Sequence, residues 1–327
     1  MLRYIVMRIG YLLFVLLIIS MILFGIFKLV PGDPARMMLE GQRTSLKPEE
    51  YDILYLEMRE TLGLDDPIIV QYFKWVPEML KGNFGYSIQY RRPVAEVLVA
   101  PMANTIKLNL ITMFMVFGIT VPLGITTAVR KYSTYDNVVQ VGSVIGYSIP
   151  SFVVALIFIV IFSINLGWFP ISGSNSAGLD GSGFSGMLDS LWHMALPIIV
   201  MTFGSLGGIT RYVRGVMIES LQQDYIRTAR AKGLKEKVVI YVHAFRNSLI
   251  PLVTILTGWL VSLFGGSVII ESIFNWNGMG SLLITSLRQQ DFSLSMAVQI
   301  FFVILVLVGN IIMDLGYCLV DPRIKLS

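Results

Sequence analysis

Charge is scarce in this sequence: of 327 residues only 14% are Asp, Glu, Lys or Arg, while 55% are hydrophobic and the mean hydropathy is +0.71. A soluble fold of this length needs a polar surface that this composition does not supply, so the membrane class comes first. Cysteine is scarcer still. A single thiol, Cys318, excludes an internal disulfide framework and any multi-thiolate metal site, and His193 and His243 are the only histidines available as other ligands. Enzyme signatures are missing too. There is no GxxxxGK[ST] loop to hold nucleotide phosphates, no paired-His zinc motif and no Gly-x-Ser-x-Gly nucleophile elbow. The pI near 9.1 comes from basic residues scattered among long apolar runs rather than massed on a polar domain, which argues against nucleic acid as a partner.

Long apolar runs are what the sequence has in abundance. Stretches of about 20 residues, enough to cross a bilayer core, occur over Ile9 to Val30, Leu108 to Val129, Val138 to Leu166, Leu191 to Ile209, Leu249 to Ile270 and Leu294 to Met313. An all-α integral membrane protein with six transmembrane helices is expected. Arg3 and Arg8 precede the first run as in a signal peptide, but the run is too long for one and no small-x-small site precedes Pro31, so it is expected to stay as a helix.

Lys and Arg resist translocation, so their positions in short loops set the orientation. They collect at Arg3, Arg8, Arg130, Lys131, Arg211, Arg214, along Arg227 to Arg246, and at Arg323 and Lys325, whereas Gly167 to Ser190 has none and Ser272 to Phe292 only Arg288. Both termini are therefore expected in the cytoplasm. The resulting plan is a first helix over 1–30, an extracytoplasmic segment over 31–104, a five-helix core over 105–316 and a tail over 317–327. The extracytoplasmic segment carries a charged helical pattern over Pro48 to Thr61, then Tyr72, Phe73 and Trp75, which suit a membrane interface, ahead of a turn at Lys81-Gly82-Asn83. Ile171 to Gly186, rich in Gly and Ser, reads as a flexible connection.

The most informative segment is the inner loop 211–247. Within it Asp224 is suited to cap a helix, Tyr225 to Lys232 favour one, and Gly233 can take the positive φ that ends it. A helix this short is marginal alone and needs packing partners. Ala229 and Ala231 leave room for close approach, flanked by Arg227, Arg230 and Lys232.

Asp224-Tyr225-Ile226-Arg227-Thr228-Ala229-Arg230-Ala231-Lys232-Gly233-Leu234, with Ile250-Pro251 further on, resembles the coupling loop of the inner-membrane permeases of binding-protein-dependent ABC importers, in the form used by the peptide and nickel branch. Leu29-Val30-Pro31-Gly32-Asp33-Pro34, Leu62-Gly63-Leu64-Asp65, Asn83-Phe84-Gly85-Tyr86-Ser87, Ser148-Ile149-Pro150-Ser151-Phe152 and Asp321-Pro322-Arg323 look like further motifs of that branch, in order along the chain. Asn277 departs from it, standing where Pro is more usual. The resemblance implies a type I ABC importer permease fold in the bacterial inner membrane. It also implies a non-catalytic subunit that forms the pathway for di- or oligopeptides, with nickel chelates or glutathione as alternative cargo. The implied partners are a second homologous permease, two cytosolic ABC ATPases that use the ATP, and an extracytoplasmic solute-binding protein. No cofactor on this chain is implied. The site residues carried over are Asp224, Tyr225, Arg227, Thr228, Ala229, Arg230, Ala231, Lys232 and Gly233, which would dock on an ATPase.

Other polar or breaking residues have blander readings. Glu271, at the outer end of the fifth run, is either a carboxylate facing water or a contact for substrate or binding protein. His193 beside Trp192 reads as interfacial rather than metal-ligating, and Asn310 and Asp314 read as interhelical hydrogen-bonding groups. Pro122, Pro150, Pro197 and Pro251 permit kinks. The Gly207-Gly208 and Gly265-Gly266 pairs suggest close helix approach. A secondary transporter, the rival class, would show inverted repeats and carboxylates in mid-span, and neither is evident.

Overall fold

The structure, a computed structural model, describes residues 2–30, 32–178 and 183–320. In chain order the helices are α1 (Leu2–Leu29), α2 (Pro34–Leu39), α3 (Pro48–Thr61), α4 (Ile68–Leu80), α5 (Val94–Val129), α6 (Thr134–Ser148), α7 (Ser151–Phe158), α8 (Gly183–Leu221), α9 (Asp224–Ala231), α10 (Glu236–Val238), α11 (Phe245–Ser262), α12 (Val268–Ile273), α13 (Met279–Arg288) and α14 (Phe292–Val320). Wider π-helical turns continue α7 over Ile159–Asn165 and precede α11 over Val239–Ala244. A two-residue ladder pairs β1 (Tyr86–Ser87) antiparallel to β2 (Arg92–Pro93).

Four helices are single pieces long and apolar enough to cross a membrane: Met7–Leu29, Val94–Val129, Gly183–Leu221 and Phe292–Met313. Two bent pairs, Thr134–Ser148 with Ser151–Asn165 and Glu236–Leu249 with Pro251–Leu260, bring the number to six if each pair is one crossing. The expected third span is thus broken by 98°. The cause is local. Pro150 has no N–H to continue the ladder, and Ile149 before it is extended at φ −82°, ψ 125°. The expected fifth span also differs, because its helix ends at Ser262 and residues 268–273 form the separate α12.

The described residues form two compact units, one within 2–102 with 282–307 and one within 103–281 with 308–320. In the first, α3 covers the expected Pro48–Thr61, with Pro48 at its first turn followed by Glu49 and Glu50, which complement the helix dipole. Asp33 caps α2 through the Ala35 and Arg36 amides. Its carboxylate also takes the Tyr55 hydroxyl and, at 3.0 Å, the Arg59 guanidinium, which bonds Asp65 as well. Burial works to raise the Asp33 carboxyl, but these donors outweigh it and hold it below the ordinary range. Two motifs separated in sequence, those of Asp33 and Asp65, are thereby tied by one arginine. Asn83-Phe84-Gly85-Tyr86-Ser87 is tied similarly: Gly85 takes φ +85°, and the Ser87 hydroxyl donates to the buried Asp291, which caps α14 through the Leu294 amide.

In the second unit α6 lies along α8. Ser133 caps α6 through the Asp136 amide, and Asp136, 1% exposed, accepts both Nε and Nη2 of Arg214 on α8 at 2.7 and 2.6 Å. Gly207 permits the close approach: a Cβ there would lie 2.2 Å from the Ser143 carbonyl oxygen. Gly124 does the same between α5 and α8, where a Cβ would meet Val213 at 2.5 Å.

Candidate functional site

Helix α9 is where sequence motif and structure meet. It runs from Asp224 to Ala231, and Gly233 follows at φ +73° with its N–H on the Arg230 carbonyl, while the Leu234 N–H reaches back to Ala229. This is the left-handed C-terminal cap the sequence predicts. The expected N-cap is displaced by one residue. Gln223 occupies that position without a side-chain bond to the helix amides, and Asp224 is the first helical residue, pairing with Arg227 at 3.3 Å.

Two apolar residues bolt α9 down. Ile226 and Ala229, one turn apart, are buried in a cluster with Ile125 and Ala128 of α5, Val213 and Met217 of α8, Val239, Ile240 and Ala244 of the π-helical turn, and Leu252 of α11. The Ser220 hydroxyl donates to the Ala244 carbonyl and meets the Tyr225 hydroxyl at 2.7 Å, which fixes the start of the helix. Arg230 reaches Glu236 at 2.6 Å and ties the end of α9 to α10. The opposite face is open: the Asp224 and Arg227 side chains are 93% and 78% exposed, and Thr228, Ala231 and Lys232 are exposed beside them. The packing beneath α9 thus joins it to α5, α8 and α11 at once.

This arrangement corrects one expectation. Ala229 is not part of an open docking surface with Ala231; it faces the chain's own core. It is 5% exposed, within the cluster beneath the helix. Sequence reasoning missed Ile226 as the main anchor and Ser220 as the clasp of Tyr225. An apolar pair three residues apart in an otherwise polar helix was the available signal for the first, and nothing in the sequence points to the second.

A second constellation surrounds Glu271, and here the structure overturns the water-facing expectation. Glu271 lies on α12 rather than at the end of a span, and it is wholly buried. Its Oε1 accepts the Thr105 hydroxyl at 2.9 Å, and its Oε2 accepts the Gly280 and Ser281 amides at 2.7 and 3.1 Å. Thr105 Oγ1 in turn accepts the Met279 amide at 2.8 Å. Three glycines make room for the carboxylate. A Cβ on Gly278 would sit 2.5 Å from Oε2, one on Gly266 2.9 Å from Oε1, and one on Gly280 3.0 Å from Oε2. The carboxyl group is thus met by a hydroxyl and two backbone amides, and among the described residues no cation pairs with it. So enclosed, Glu271 offers no surface for a substrate or a docked protein within this chain; it fastens α12 and the following turn to α5. Trp276 and Asn277 extend the fastening, Trp276 Nε1 donating to the Asn104 carbonyl at 3.4 Å and Asn104 Nδ2 to the Asn277 carbonyl at 2.9 Å. The Asn277 amide donates to Ser174 Oγ at 3.1 Å, a bond that the more usual proline could not make.

His193 is buried on α8 with Nδ1 2.9 Å from the Asp189 carbonyl, and among the described residues no group of three or more His, Cys, Asp or Glu is arranged to hold a metal. Pro31, the side chains of Ile250, Asp314 and Cys318, and Asp321-Pro322-Arg323 lie outside the described residues.

Residues 120–326 match the family model for the binding-protein-dependent transport system inner membrane component, and residues 1–109 match that for the N-terminal part of such components. The oligopeptide transport system permease protein AppB of Bacillus subtilis (strain 168) is 40% identical over 312 residues, covering 95% of each chain. The di/tripeptide transport system permease protein DppB of Pseudomonas aeruginosa is 34% identical over 339 residues, and the glutathione transport system permease protein GsiC of Salmonella choleraesuis is 32% identical over 325, each with 99% coverage of both chains. The chain is therefore a multi-pass membrane protein and belongs to the family of inner-membrane components of binding-protein-dependent transport systems.

Proposed function

We propose that this chain is the permease subunit of an ATP-driven importer of di- or oligopeptides, working beside a second, homologous permease. In this reading the N-terminus, the C-terminus and the loop 211–247 face the cytoplasm, where two ABC ATPases bind and hydrolyse ATP, and a solute-binding protein delivers the peptide from the other side. The chain itself holds no cofactor. The observation that carries the reading is α9: its polar face is open while its apolar face is keyed to α5, α8 and α11 at once. Closure of the ATPase pair would displace α9 and, with it, those helix ends as rigid bodies.

Peptide cargo is supported by the peptide permeases among the relatives at 40% and 34% identity, and glutathione, itself a small peptide, by the relative at 32%. The test is purification of the tagged chain from native membranes in mild detergent, followed by mass spectrometry and by uptake of labelled di- and tripeptides, oligopeptides and glutathione in cells with and without the chain. Recovery of two P-loop ATPases and a second permease, with peptide uptake lost on deletion, is expected. Recovery of the chain alone, even after crosslinking, overturns the reading.

A further inference from the structure

Helix α4 in the first unit has three distinct faces. Tyr72, Trp75 and Met79 turn to the protein: the Tyr72 hydroxyl is 2.7 Å from Ser20 Oγ and 3.3 Å from the Leu17 carbonyl of α1, and the rings of Tyr72 and Trp75 lie 5.5 and 5.6 Å from that of Phe24. Gln71, Lys74 and Glu78 form a narrow polar line, and each is satisfied within the chain, by the Leu64 and Asp66 carbonyls, the Asp66 carboxylate and Lys81 respectively. The third face consists of Ile69, Phe73 and Leu80, at helical spacings of four and seven residues, and they are 69%, 64% and 75% exposed.

The depth of α4 identifies what covers this face. Ser20 precedes Leu29, the end of the first crossing helix, by nine residues, or about 14 Å along the axis at 1.5 Å per residue. That is roughly half of a hydrocarbon core of about 30 Å. The α1 residues beside the contact, Leu17 and Met21, are themselves exposed and apolar, as the lipid-facing side of a crossing helix must be. A helix bonded to α1 at that depth continues the same apolar surface.

We propose that α4 is embedded in the membrane leaflet that holds the C-terminal half of α1, with Ile69, Phe73 and Leu80 among lipid acyl chains. Because Lys74 and Lys81 already have carboxylate partners, the recognised chemistry is the hydrocarbon chain and not an anionic headgroup.

The test places single nitroxide labels at Phe73→Cys, Leu80→Cys and Lys74→Cys in a Cys318→Ser background, in the whole assembly reconstituted in phosphatidylcholine vesicles. Collisional relaxation by oxygen, which partitions into lipid, is compared with that by a water-soluble nickel chelate. Labels at 73 and 80 are expected to respond to oxygen and to lose the nickel response, and the label at 74 to respond more strongly to nickel. Nickel access at 73 means the face is in water, and shielding from both reagents means that protein covers it; either result overturns the proposal. Adding phosphatidylglycerol should leave the pattern unchanged, and a pattern that appears only with that lipid overturns the acyl-chain assignment. Ile69→Cys, one turn away, replaces Phe73→Cys if that variant does not fold.

Discussion

Helix α9 keeps its charges on the outside, with Asp224 and Arg227 exposed over buried Ile226 and Ala229, whereas the segment from Gly266 to Ser281 buries a carboxylate and wraps it in glycine backbone. Both regions are short, Gly-punctuated and positioned between membrane helices. They differ in where the polar groups find their partners. Glu271 has its hydrogen bonds filled by Thr105, Gly280 and Ser281, so it is a fastening whose value is structural. On α9 the exposed polar groups have weak or water-screened partners, which leaves them available to another protein while the apolar underside carries the load. The buried carboxyl group ties chain segments together, whereas the exposed polar face of α9 is free of such ties and is the face proposed to meet a partner.

The sharpest way to break this contrast is Ala229→Asp. The substitution buries an unpaired carboxylate in the cluster beneath α9 and is expected to cost about 3–5 kcal/mol, seen as a large drop in the thermal unfolding temperature of the purified chain. An unchanged temperature would mean that Ala229 faces outward after all. Glu271→Ala comes next. It leaves the Gly280 and Ser281 amides without acceptors, at about 1–3 kcal/mol for each buried group, whereas Asp224→Ala on the exposed face should leave the unfolding temperature alone. Equal effects of the two would erase the distinction between fastening and docking surface.

Gly233→Val is a smaller perturbation. Among the described residues nothing lies within 4 Å of a Cβ there, so the cost is the left-handed backbone, about 1–2 kcal/mol, and it should fray the end of α9 with a loss of transport larger than the loss of stability. Comparing uptake with unfolding temperature in that variant checks it. Smallest is Asn277→Pro, which removes the exposed amide bond to Ser174 and should cost no more than about 1 kcal/mol, measurable as a slight shift in the same unfolding assay.

Much of this was legible in the sequence, for identifiable reasons. Hydropathy reports the solvent around a helix, so the runs near Ile9, Leu108, Leu191 and Leu294 each fall within one continuous helix. Gly233 announced the end of α9 because its conformation is a local property. Pro150 announced a break, but the 98° bend is set by packing of the two pieces and is not readable from the residue. Of each suspected glycine pair one member makes the close approach, Gly207 against Ser143 and Gly266 against Gly280, while Gly208 and Gly265 have ordinary space. Glu271 was misread because its partners are invisible to a linear reading: Thr105 is 166 residues away and the other donors are main-chain amides. Arg214 and Asp136, 78 residues apart, escaped notice on the same ground. Local conformation and solvent class are written along the chain, and long-range polar pairing is not.

The exposed face of α9 is proposed to lie against another protein, while its apolar face is held by this chain. A photo-crosslinking amino acid introduced at Thr228, and separately at Glu219 as an exposed position on the neighbouring α8, tests it in intact membranes. The expected result is an adduct from Thr228 to a P-loop ATPase, lost or shifted when ATP is trapped, with little or none from Glu219. Adducts from Thr228 only to lipid, or no ATPase adduct in any nucleotide state, would contradict it.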